Sequence, residues 1–72
     1  MDKIHIYFIT DNEDKTFNVK GYDFNEELIL DCVLTMGTKE QKEFTSALKK
    51  RIHEEGVDTE LVYLSTWRLR FK

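Results

Sequence analysis

An α+β domain, with a single-layer sheet of about four strands packed on one helix in the order βββαβ, is the fold class that this sequence predicts. Three observations carry it. Both ends of the chain alternate apolar and polar residues with period two, one interior segment repeats apolar residues at three and four, and glycines stand where these patterns change. Seventy-two residues without proline or internal repeat are expected to form one domain made almost wholly of regular elements.

"KIHIYFIT" (3–10) sets Ile4, Ile6 and Phe8 against His5, Tyr7 and Ile9, so 3–10 reads as a strand. "DNED" follows, and its short polar side chains bond back to their own backbone in turns. "KTFNVKGY" resumes alternation, with Phe17 and Val19 on one side and Thr16, Asn18 and Lys20 on the other. A second strand over 15–21, ended by Gly21, closes a hairpin.

"EELILDCVLTM" admits two readings. As a helix it aligns Leu28, Ile29, Cys32, Val33 and Met36, with Asp23 and Glu26 as a capping box. That version gives the alternative order ββααβ. As a strand it lines up Leu28, Leu30, Cys32, Leu34 and Met36 on one side and leaves no leucine outside. We adopt the strand, over 27–36.

Gly37 breaks that run, and "TKEQ" is a capping box: the Thr38 hydroxyl accepts a free amide three residues on, while Gln41 reaches back. Phe44, Ala47, Leu48 and Ile52 form the helical stripe, cations Lys49, Lys50 and Arg51 oppose the dipole at its end, and Gly56 stops it. A helix over 39–55 results. In "TELVYLSTWRLRFK" one side presents Leu61, Tyr63, Ser65, Trp67, Leu69 and Phe71, and the other Val62, Leu64, Thr66, Arg68 and Arg70. One strand over 59–71 is expected, with Trp67 in the core and the arginines in solvent.

So small a chain has a thin stability margin and usually leans on disulfides, a metal or association. A single cysteine, Cys32, excludes an intrachain disulfide, and no His or Cys pair has zinc spacing. No cofactor or metal is expected. No apolar run is long enough to span a membrane, and "MDKIHIYF" is too short an apolar core for a signal peptide. With its lone cysteine, the protein is expected in the cytoplasm. A charged fraction of 35% with 12% aromatics suits a folded domain, not a disordered tail.

The net charge of −3 is unevenly spread. Residues 1–36 hold three lysines against eight acids, and residues 37–72 hold eight cations against six acids. This balance disfavours duplex DNA as a ligand. His5 and His53 have neither nucleophile nor orienting carboxylate at a diagnostic spacing, and Cys32 sits among apolar residues that make a thiol inert. The acidic turn lacks the ligand periodicity of a calcium loop. No catalytic residue is assigned, and an enzyme is not expected.

The function expected is that of a small non-enzymatic binding module, an accessory or modulator protein that docks on another protein or dimerises. A sheet face away from the helix, bearing Tyr7, Ile9, Ile29, Val33, Val62 and Leu64, would supply apolar contact area. Asp11, Glu13, Asp14, Glu26 and Glu27 would steer it to a basic partner. The alternative is nucleic-acid binding through Lys49, Lys50, Arg51, Arg68, Arg70 and Lys72.

Overall fold

The structure, a computed structural model, describes residues 3–72. Strands β1 (Ile6–Asp11), β2 (Thr16–Tyr22) and β3 (Leu28–Thr35) precede helix α1 (Lys39–Glu55), and β4 (Val57–Tyr63) and β5 (Thr66–Phe71) follow it. The fold is α+β, one helix on one five-stranded sheet of order β3-β2-β1-β5-β4. Every neighbouring pair of strands is antiparallel.

The strand over 27–36 and the helix over 39–55 form as expected. Thr38 caps α1 by accepting the Gln41 N–H at 3.3 Å, and the Gln41 carboxamide accepts the Gly37 N–H at 3.2 Å. Gly56 ends it with φ 77° and donates to the Ile52 carbonyl. Asp23 caps no helix. Its carboxylate takes the N–H groups of Asn25 and Glu27 and holds the β2–β3 turn.

The expected single strand over 59–71 is instead a hairpin, β4 and β5. One strand of that length would overrun β1 and β2, which have 6 and 7 residues. Folding at Leu64–Ser65 gives two strands of 7 and 6 residues that match them. Leu64 adopts φ 42°, so a turn forms without glycine or asparagine.

The second correction concerns faces. Tyr7 pairs with Gly21 and Leu69, and Ile9 with Val19 and Trp67, so both look toward the helix. Ile6 and Phe8, expected under the helix, lie on the uncovered face. The phase changes just before β1, where the Phe71 N–H donates to the His5 carbonyl and the His5 N–H to Tyr22. Ile4, upstream of that break, still packs on the core. Both phases of this segment are apolar, so the local pattern does not choose between them. The Tyr7 ring meets Phe44 and Phe71 edge-on at 5.8 and 6.0 Å.

The core is Tyr7, Val19, Leu69 and Phe71, covered by Phe44, Leu48 and Ile52 of α1. Ala47 is exposed, and Arg51, one of the three cations at the end of the helix, is buried. Its guanidinium lies over the Phe71 ring and bonds Glu55 at 2.9 Å. Phe71 is 1% exposed, whereas Trp67, expected in the core, is 45% exposed and lines an open groove with Phe44 and Leu48.

Candidate functional site

Strand order places the candidate residues. Across the uncovered face the registers align Asp31, Lys20, Phe8, Arg68 and Glu60 in one row, and Tyr22, Ile6, Arg70 and Asp58 in the next. Apolar residues hold the centre, cations flank them, and acids stand on the outer strands. Arg68 pairs with Glu60, Arg70 with Asp58 at 3.0 Å, and Lys72 with Asp58 at 3.8 Å. Phe8 meets Tyr22 edge-on at 5.6 Å. The centre of this face is therefore self-satisfied, with Ile6, Phe8 and Tyr22 each partly buried.

The expected apolar patch of Tyr7, Ile9, Ile29, Val33, Val62 and Leu64 is not assembled. Tyr7 and Ile9 belong to the helix side. Leu64 stands at the tip of the β4–β5 turn, and Val62 occupies the irregularity between Leu61 and Tyr63. Ile29 and Val33 share β3 but stand apart, with Asp31 between them. The acidic set also divides. Asp11, Glu13 and Asp14 lie at the β1–β2 end, while Glu26 and Glu27 lie at the β2–β3 end, across the length of β2. Nor do the cations converge. Lys49 and Lys50 are on the helix, Arg51 is under it, and Arg68 and Arg70 are on the opposite face of the sheet.

Apolar exposure is concentrated elsewhere. Among the described residues, Phe24, Leu28, Ile29, Val33 and Met36 are exposed along β3 and its flanking turns. Leu61, Val62, Tyr63 and Leu64 are exposed along β4 and its turn, with Trp67 beside Leu61. Both groups lie at the rims of the sheet. A signal for this existed in the run "LILDCVLT", but it acquires meaning only once β3 is known to be an outer strand.

The two rims differ. β4 carries Asp58 and Glu60 and is irregular at Val62, features that discourage pairing with a further strand. β3 has one charge, Asp31, and neither lysine nor proline. The Met36 N–H donates to the Lys15 carbonyl at 2.8 Å. In an antiparallel ladder, bonded and non-bonded pairs alternate. Leu34, Cys32 and Leu30 are then bonded to Phe17, Val19 and Gly21, and Asp31, Val33 and Thr35 turn their N–H and C=O groups to the open rim.

On the helix side, an open groove of about 630 Å³ is lined in part by Ile9, Phe17, Met36, Phe44, Leu48 and Trp67. Its rim includes Asp11, Glu13 and Lys15. His5 stacks on Phe24 with ring centres 4.4 Å apart, and His53 is exposed in the last helical turn. Cys32 is partly buried, and that burial, then the neighbouring Asp31 charge, pushes its thiol pKa up. Among the described residues, no group of three or more His, Cys, Asp or Glu is arranged to hold a metal, and no helix is long and apolar enough to cross a membrane.

Comparisons of the chain with protein-family models, with curated proteins and with solved structures find no match.

Proposed function

We propose that this chain is a non-enzymatic protein-binding module that makes its contacts through the rims of its sheet. One observation supports the reading above others: the exposed large apolar side chains gather on the two outer strands and their turns, with Trp67 alongside. Contiguous exposed apolar surface is the usual mark of a protein contact. An outer strand with open backbone groups adds directional hydrogen bonds to it. The central face, whose arginines are already paired with Glu60 and Asp58, contributes less.

Capture by the immobilised chain at low and high salt tests this reading. Partners held through apolar and backbone contacts stay bound as salt rises. They are lost when a rim is charged, by Val33→Lys on β3 or Leu61→Lys on β4.

A second reading has one observation in its favour. Phe8 lies between Lys20 and Arg68 on the uncovered face, and an aromatic beside cations is how sheet surfaces stack single-stranded bases. Binding of a labelled single strand would then fall steeply with salt, and Phe8→Ala would remove it. The arginine pairings and the acidic net charge place this reading second.

A further inference from the structure

We infer that β3 is a self-pairing strand: two copies of the chain join antiparallel along it, with Val33 on the two-fold axis. The inference rests on the reading of the chain as a protein-binding module and names one partner, a second copy.

Val33 turns both backbone groups outward, so Val33 and Val33 of the second copy can exchange both N–H···O=C bonds about a dyad. The charge on β3 rules against one neighbouring register. Centred on Asp31, the pairing would set two carboxylates directly opposite, which is destabilising. Centred on Val33, it sets Asp31 opposite Thr35 of the second copy, and Thr35 opposite its Asp31. The Thr35 N–H then meets the Asp31 carbonyl. The Thr35 carbonyl is already held by the Thr38 hydroxyl at 2.7 Å and amide at 3.3 Å, so each flanking pair makes one bond and the central Val33 pair makes two. Side chains agree with this register. On the helix side Cys32 falls opposite Leu34 of the second copy, and on the other face the two Val33 side chains, each 61% exposed when unpaired, cover one another.

The contrast between the rims says why the occupant is a copy and why assembly stops at two. Pairing β3 with β4 of another copy would propagate into a fibre. Asp58, Glu60 and the irregularity at Val62 guard β4 against it. Pairing β3 with β3 consumes the one unguarded rim of each copy. The result is a continuous ten-stranded sheet whose outer strands are the two guarded β4 strands.

Sedimentation equilibrium of the intact chain at roughly 0.5 mM tests this, because even a Kd of about 1 mM leaves a measurable dimer fraction there. The expected mass lies above the 8.6 kDa of one chain, approaching twice that value. Val33→Lys, at an exposed position, should return it to one chain with an unchanged circular dichroism spectrum. Val33→Pro should do the same, because it removes an N–H that the fold itself does not use. In the wild type, an isotope-filtered NOE between the Cys32 and Leu34 α-protons of different copies would fix the register. A wild-type chain that sediments as a monomer at this concentration overturns self-pairing, as does a dimer indifferent to Val33→Lys. Either result leaves the broader module reading to the capture experiment, where Leu61→Lys reports on the other rim.

Discussion

Arg51 holds its guanidinium 3.9 Å from the centre of the Phe71 ring, and this pair anchors the C-terminal end of the helix to the sheet. Arg51 is 7% exposed, so its stem packs as an apolar side chain would while its head bonds Glu55. Phe71 is the largest fully buried side chain of the core. Phe71→Ala should cost about 3–5 kcal/mol, close to the whole margin expected of so small a domain. Loss of the cooperative urea transition would show it.

Trp67 is expected to behave differently. Nearly half exposed, it should cost about 1–2 kcal/mol on change to alanine, roughly half of full aromatic burial. Its fluorescence should be red-shifted and readily quenched by acrylamide. A blue-shifted, protected tryptophan would show that the Leu61–Trp67 end of the sheet is covered.

Gly21 is tightly enclosed. A β-carbon there would sit 2.9 Å from Ile4 Cδ1 and 3.1 Å from Leu30 Cβ. The Ile4 terminus can turn aside, but Leu30 Cβ is fixed to the neighbouring strand. Gly21→Ala should therefore destabilise by about 1–2 kcal/mol, read as a lower midpoint in urea.

Leu64 presents the reverse case. Its φ of 42° is left-handed, which costs a β-carbon-bearing residue about 1–2 kcal/mol. Its side chain is 76% exposed and has little packing to lose. Leu64→Asn should raise the thermal midpoint, since asparagine tolerates this region. A lower midpoint would mean that the leucine is held in a contact of its own.

How much of this was legible beforehand depended on how distinct the local signals are. The helix was bounded by a capping box at Thr38 and a glycine at 56, signals that do not depend on the rest of the fold. β3 was legible because only a strand puts Leu30, Cys32 and Leu34 together, and these three pack on the core. The phase of β1 was not, because Ile4, Ile6 and Phe8 compete with Tyr7 and Ile9, and both sets are apolar. The β4–β5 turn was not, because Leu64–Ser65 carries no turn residue and alternation continues through it. The contact surface suffered most. Whether Val33 and Leu61 lie at a rim or in the middle depends on strand order, which is set by long-range pairing and not by any local pattern.

The β1–β2 turn supplies a pH signature. The Thr16 hydroxyl, and then its amide, donate to the Asp14 carboxylate and hold its pKa below the ordinary value. A depressed folded pKa stabilises the fold above the ordinary carboxylate range, and that contribution is lost as pH falls through the depressed value. Carbon-13 titration should show Asp14 ionising below the ordinary aspartate value. Thr16→Val should move it back up.

Amide hydrogen exchange along β3, followed as the protein is concentrated, bears most directly on the rim of the sheet as a contact surface. Leu30, Cys32 and Leu34, bonded to β2, should be protected at every concentration. Val33 and Thr35 should exchange rapidly in dilute solution and slow together as the chain is concentrated, while Asp31, whose acceptor across the axis is held by Thr38, slows less. Rapid exchange of Val33 and Thr35 at all concentrations would contradict pairing along β3, and protection of both in the dilute monomer would show that the rim is closed within a single chain.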